Sequence, residues 1–295
     1  MHNYLRTVGF YQVKSKKHID KILEYAVEKP DYVKESIVCE GEYLVEIRKM
    51  FGEQLGITII GIRMEDSTLI DIEYYFPFYI DNVMPEKEEI SMQKHIANHS
   101  FAGVCDDIRI GVSLIFFLQN VLDYTTYFKR KRRMQLYMPV SFRGFSNEGK
   151  ILFPVQKSLK EIQKSKVAIQ NRKRLIEEAR RGDESAIESL TMEDLDTYNQ
   201  ISRRVLREDV FSIVDNCFMP YGIECDQYSV VGDIEDVKIF KNDITSEQVY
   251  CLSLACNEIN FSVIIHEKDL LGEPAKGRRF KGSIWLQGYV HFELS

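Results

Sequence analysis

The order of apolar and polar residues predicts a helix followed by strands in the first part of the chain, up to about residue 156. Apolar residues recur at helical spacing over residues 15–27, and Ser15 is a candidate N-cap. Runs that are typical of strands follow at 43–47, 57–62 and 69–76, with turn residues between them. We therefore predict an α+β domain in which helices cover an antiparallel sheet.

Two further parts follow, and their patterns differ from the first. Residues 157–222 are predicted to form a basic helical connector, whose apolar residues between 159 and 176 lie on one narrow stripe. The remaining residues, 223–295, hold strand candidates at 228–240, 249–255, 261–265 and 280–292. That many strands in so short a segment indicates a small barrel-like domain resembling an OB fold, a comparison that depends on strand count alone.

Alternation along the last strand separates its side chains into two sets, one on each face. One set is apolar, whereas the other contains Arg279, Lys281, Trp285 and Tyr289. Aromatic rings with nearby cations are what binding of single-stranded nucleic acid requires. The alternative interpretation is that Trp285 and Tyr289 pack against the connector with their polar tips hydrogen-bonded.

The net charge is −6 over 295 residues, but the charge is unevenly distributed and the middle of the chain is basic. Residues 129–181 carry 16 Lys and Arg against 4 Asp and Glu, whereas both flanking parts are acidic. The densest basic run contains Lys129, Arg130, Lys131, Arg132 and Arg133, and a second cluster contains Arg172 and Arg174. These clusters could hold phosphate groups, or they could form a solvated surface that pairs with the acidic ends.

The cysteines and the apolar runs indicate the compartment. The six cysteines form no CxxC pair, which argues against a zinc ribbon or a thioredoxin-like redox pair. The beginning of the chain lacks the pattern of a signal peptide, and the most apolar run, 111–118, is shorter than the ~20 residues needed to cross a bilayer. We expect a cytosolic protein that has reduced thiols and no membrane partner.

A metal site is an alternative that the histidines suggest. His95 and His99 are four residues apart, so on a helix they would face the same side. Asp106 and Asp107 follow within a glycine-containing loop and could complete a metal site. Surface histidines and turn-forming aspartates are the competing interpretation. The sequence has no phosphate-binding glycine loop and no GxSxG motif, and we expect no cofactor.

Five short segments of the sequence resemble a family of Firmicutes proteins catalogued as domain of unknown function 3881. The resemblance is carried by residues 4–10, 103–107, 114–120, 209–228 and 269–288. It would span nearly the whole chain. It implies a cytosolic bacterial protein, and it implies no activity, cofactor or catalytic residue.

Three functions are consistent with these patterns. The first is a non-enzymatic binding or regulatory protein with an anionic partner, such as single-stranded nucleic acid, which would contact the basic run and the face that carries Trp285. The second is a metal-dependent hydrolase at His95, His99, Asp106 and Asp107. The third is a scaffold that oligomerises through the 159–176 stripe, although lysines interrupt the positions that a coiled coil needs.

Overall fold

The computed structural model describes residues 3–13, 15–81, 87–95, 98–107, 112–131, 135–154, 159–205, 216–256 and 259–292. Strands contain 52% of the residues and helices contain 24%, so the fold is mostly sheet. The strands form a four-stranded sheet and a larger mixed sheet. The prediction of an antiparallel sheet with helices in the first part is confirmed.

The small sheet begins after a 3-10 helix (Asn3–Val8) and helix α1 (Lys16–Glu28). The Oγ of Ser15 accepts a hydrogen bond from the backbone N–H of His18, so Ser15 caps α1 as predicted. The strands are β1 (Tyr32–Cys39), β2 (Glu42–Met50), β3 (Leu55–Met64) and β4 (Ile70–Tyr79). They pair antiparallel in chain order.

The large sheet takes its first strands from the middle of the chain. These are β5 (Lys87–Lys94), β6 (Phe101–Asp107), β7 (Val112–Leu118) and, after helix α2 (Val121–Lys131), the long strand β8 (Gln135–Leu152). Helices α3 (Leu159–Arg180) and α4 (Glu184–Val205) follow, as the helical pattern of the connector predicts.

The last part supplies the other strands of the large sheet. They are β9 (Cys217–Pro220), β10 (Gln227–Lys241), β11 (Gln248–Cys256), β12 (Ile259–His266), β13 (Leu270–Leu271) and β14 (Arg279–Val290), with a 3-10 helix (Glu267–Asp269) before β13. The prediction of strands throughout this part is therefore confirmed. These strands share one sheet with β5–β8.

Strand pairing closes two cycles within the large sheet. One cycle is β5, β6, β7, β14 and β8, and the other is β10, β11, β12, β8 and β14. Each has four antiparallel pairings and one parallel pairing, and the two share the β8–β14 pair. In both, three antiparallel strands precede a helical segment and a long strand. The same topology thus occurs twice, although the sequence shows no repeat.

One hydrophobic core joins the two sheets. Phe76 on β4 packs edge-to-face against Phe117 on β7, with ring centroids 5.0 Å apart. Tyr79 at the end of β4 lies 5.8 Å from the ring of Phe240 on β10. The small sheet therefore covers part of the large one, and strands in the middle of the large sheet are buried on both faces.

Candidate functional site

The candidate site lies where two strands separate along one edge of β14. Strand β8 occupies the other edge over residues 279–290. On the opposite edge of β14, β10 pairs with residues 279–285 and β7 pairs with Gln287 and Gly288. The hydroxyl of Tyr228 on β10 accepts from the N–H of Ile115 on β7 at 2.7 Å and donates to its carbonyl at 3.1 Å. We call this place, where β10 gives way to β7 beside residues 285–287, the β14 junction.

A cleft of about 630 Å³ opens at the β14 junction. Its wall contains the rings of Tyr4, Phe117 and Trp285, which come from the first 3-10 helix, β7 and β14. The segment between β9 and β10 contributes the carboxylates of Glu224 and Asp226 to the same wall. The cleft thus combines apolar rings with hydrogen-bond acceptors, which is the usual composition of a small-ligand site.

Trp285 is only 4% exposed, which corrects the expectation of an open stacking face on the last strand. Its ring centroid lies 5.1 Å from that of Tyr4 and 5.1 Å from that of Phe117. Its Nε1–H donates to Oδ2 of Asp226 at 2.8 Å. The indole is covered because β14 is an interior strand, and the covering residues are Tyr4 and Phe117.

Acidic groups dominate the electrostatics of the cleft. Burial raises the pKa of Asp226, and the nearby charge of Glu224 raises it further, whereas the hydrogen bond from Trp285 lowers it. Burial, together with these carboxylates and Glu148, raises the pKa of Tyr4 to about 12. The Oδ1 of Asn147, also on the wall, is buried and has no hydrogen-bond partner among the described residues. The cleft therefore presents acceptors and negative charge.

The other predicted members of the cationic aromatic face are also partly or fully covered. Arg279 is 5% exposed and donates from Nε to the carbonyl of Phe153 at 3.0 Å. Lys281 is half-buried. Burial raises the pKa of Tyr289, whose ring lies 5.1 Å from that of His291. The face is therefore not an exposed strip, since the sheet is covered on both sides here.

The basic run lies at the end of α2. Lys129 is exposed, and its Nζ donates to the carbonyl of Ile37 on β1. Arg130 and Lys131 are the last described residues of α2, but their side chains lie outside the described part of the structure, as do the whole of Arg132 and Arg133.

The second basic cluster lies on α3. Arg172 forms an ion pair with Asp194 on α4 at 2.8 Å, so it links the two helices. The side chain of Arg174 is 70% exposed, and its Nε lies 4.0 Å from Oε1 of Glu178, which is a long distance for an ion pair. Ile176, the last residue of the apolar stripe, is half-buried, as is its neighbour Leu175.

The predicted metal site is not assembled as expected. His95 follows β5 and His99 precedes β6, so the two histidines flank the turn of a hairpin and do not share a helix. His95 lines the cleft, whereas Nδ1 of His99 lies 2.8 Å from Oε1 of Glu73 on β4. Asp106 and Asp107 end β6, and their side chains lie outside the described part of the structure. The described residues contain no group of three metal-binding side chains.

Sequence reasoning identified Trp285 but missed its neighbours in the cleft. Tyr4 and Phe117 come from distant parts of the chain, and no local pattern connects them with Trp285. A signal did exist for Glu224 and Asp226, because two acids directly after the Pro220–Gly222 turn indicate a loop, and loops often carry binding residues.

Comparisons with known proteins place the chain in a family. No helix in the described ranges has the length and apolar character that crossing a membrane requires. No curated protein and no solved structure matches the chain. Residues 5–288 match the family described as "Domain of unknown function, E. rectale Gene description (DUF3881)", and this match, which covers most of the chain, shows that the protein belongs to that family.

Proposed function

We propose that this protein is a non-enzymatic binding protein whose ligand occupies the cleft at the β14 junction. The observation that carries the proposal is the composition of the cleft wall, which places three aromatic rings beside two carboxylates in about 630 Å³. That volume is within the range of ~300–1,000 Å³ that is usual for sites of small ligands. The rings supply contact area, and the carboxylates fix orientation.

We extend the proposal to the fold and the compartment. Each closed cycle of five strands is an OB-like barrel, and β8 completes the C-terminal one, whose other strands lie within residues 223–295. The boundaries near residues 156 and 222 then delimit the helical connector, and each cycle takes one strand from the other side of that connector. The free thiols of all six cysteines support a reducing compartment, the bacterial cytosol.

The proposed function can be tested with intrinsic fluorescence, because Trp285 is the single tryptophan and lies in the cleft wall. The probes are choline, maltotriose and an oligothymidylate of twelve nucleotides. We expect a saturable change of emission with at least one probe. Ala102→Phe, which places a ring in the cleft, should abolish that change, whereas Ala168→Phe on the exposed surface of α3 should not. No saturable change with any of the three probes would refute the proposal.

An anionic partner, single-stranded nucleic acid in particular, is a second candidate that would bind elsewhere. The exposed side chain of Arg174 and the exposed Lys129 favour it, since both lie in the basic middle of the chain. Binding of labelled oligothymidylate should weaken steeply as salt rises. Arg174→Ala should lower the salt slope by about 1, whereas Lys276→Ala in an exposed loop of the acidic last part should leave it unchanged. A salt-independent interaction would contradict this candidate.

A further inference from the structure

The charge of the cleft selects among ligands. Glu224 is exposed at the cleft and Asp226 is half-buried beside it. Of the described residues that line the cleft, none is a lysine or an arginine. A phosphate or carboxylate group placed here would meet two acidic side chains and a single imidazole, that of His95, and like charges repel. A positively charged group would be attracted.

The rings of the wall favour the same class of ligand. The face of an aromatic ring carries negative electrostatic potential and attracts a cation that lies within about 6 Å. Tyr4, Phe117 and Trp285 lie close together, since the centroid of Trp285 is 5.1 Å from each of the other two. The hydrogen bond from Trp285 to Asp226 holds a ring and a carboxylate in fixed relative positions. A cation in this cleft would therefore meet rings and carboxylates together.

An unused acceptor adds a polar contact. The Oδ1 of Asn147 is buried in the wall and has no partner among the described residues. A buried acceptor without a donor is unfavourable, so a ligand that donates an N–H or O–H to it removes an unsatisfied polar group. This favours a cation that also carries a hydrogen-bond donor.

We propose that the cleft at the β14 junction binds a small organic cation, of the substituted ammonium class, that carries a hydrogen-bond donor and an apolar body. The proposal rests on the proposed function, because it names the ligand class of the same cleft. The partly exposed rings of Tyr4 and Phe117 contact the apolar and cationic parts, Glu224 and Asp226 neutralise the charge, and Asn147 accepts the donor.

The test compares two probes of the same shape that differ in charge. Choline carries a quaternary nitrogen, and 3,3-dimethylbutan-1-ol has a carbon atom at that position. We expect choline to bind about tenfold more tightly in a Trp285 fluorescence titration at low salt. Glu224→Gln should weaken choline binding several-fold and leave the neutral alcohol unaffected. Glu235→Gln, on an exposed part of β10 outside the cleft, is the matched control and should change neither.

The outcomes separate this inference from the proposed function. Equal affinity for choline and the alcohol, or binding of maltotriose or oligothymidylate in the cleft without binding of choline, would overturn the cation proposal and leave the binding function standing. If no probe produces a saturable change of Trp285 fluorescence, the binding function itself is refuted. Charge-dependent binding of choline that Glu224→Gln weakens and Ala102→Phe abolishes supports both.

Discussion

The two strands that both cycles share, β8 and β14, each change partners along one edge, yet only one of these junctions is open. Along β14, β10 gives way to β7, and a cleft lies beside the change. Along β8, β5 pairs with residues 135–139 and β12 pairs with residues 143–146. We call the second place the β8 junction. It occupies the corresponding position in the other cycle of strands.

The β8 junction is filled by a buried ion pair. Nη2 of Arg143 lies 2.8 Å from Oδ1 of Asp81, and both side chains are nearly inaccessible. The hydroxyl of Ser262, which faces Arg143 across the β8–β12 pairing, donates to Oδ2 of Asp81 at 3.0 Å. Gln119 accepts from Nη1 of the same arginine at 2.9 Å. Asp81 arrives from the end of β4, so the small sheet closes this junction.

The two junctions have the same strand topology, but their side chains differ, and the side chains determine whether a junction is closed or open to a ligand. Each junction contains a carboxylate with one strong partner. Asp81 meets a guanidinium and Asp226 meets the neutral N–H of Trp285. A paired charge is satisfied within the protein, whereas Asp226 still has its charge to offer a ligand. We interpret the β8 junction as structural and the β14 junction as functional.

The largest expected effect is at the β8 junction. Asp81→Ala leaves the guanidinium of Arg143 buried and uncompensated, which should lower the free energy of unfolding by about 3–5 kcal/mol. Urea-induced unfolding followed by circular dichroism measures the loss. Glu35→Ala, which removes the exposed ion pair with Arg63, should cost only about 0–1 kcal/mol. Similar losses in the two variants would mean that the ion pair does not hold the junction.

At the β14 junction the corresponding contact is the hydrogen bond between Trp285 and Asp226. A double-mutant cycle with Trp285→Phe and Asp226→Ala should give a coupling energy of about 1–3 kcal/mol, because the indole N–H is the donor to a partly buried carboxylate. Unfolding of the wild type, both single variants and the double variant provides the four values. Additive losses would show that the contact contributes nothing of its own.

Local patterns explain which parts of the fold could be predicted. Helix α1 depends on an N-cap and on apolar spacing within a few turns, and both are visible in the sequence. The strands of the last part are equally visible. The pairing of β12 and β14 with β8 joins residues more than a hundred positions apart, and no local pattern carries that information. His95 and His99 have the spacing of one helix face but lie between the paired strands β5 and β6, and the four-residue spacing alone could not distinguish these two cases.

The same limit applies to the candidate site. The sequence drew attention to Trp285, but alternation along a strand separates two faces without revealing whether both are covered. Here Tyr4 approaches from the beginning of the chain and Phe117 from β7, so an apparently exposed ring becomes part of a cleft wall. The basic character that suggested an anionic ligand lies elsewhere, on α2 and α3.

A smaller effect is expected when the β8 junction loses one hydrogen bond and keeps its ion pair. Ser262→Ala removes one of the donors to Asp81 and should cost about 1 kcal/mol, since Arg143 still neutralises the carboxylate. The matched control is Ser283→Ala, which removes a hydroxyl bonded to Glu148 in an exposed position and should cost less. Thermal unfolding resolves the difference, and a larger loss for Ser283→Ala would contradict the importance of the buried contact.

The smallest expected effect is a pH dependence that belongs to the β14 junction. Burial raises the pKa of Asp226 above its ordinary value of 3.8, so the folded protein holds this proton more tightly than the unfolded chain. The resulting contribution to stability is fully present below pH 3.8 and is lost as the pH rises through the raised pKa. Asp226→Asn cannot titrate. The stability of the wild type minus that of Asp226→Asn should therefore decrease between about pH 3 and pH 7. A difference that increases over this range would mean that the folded protein stabilises the charged carboxylate, as a second ion pair like that of Asp81 would do.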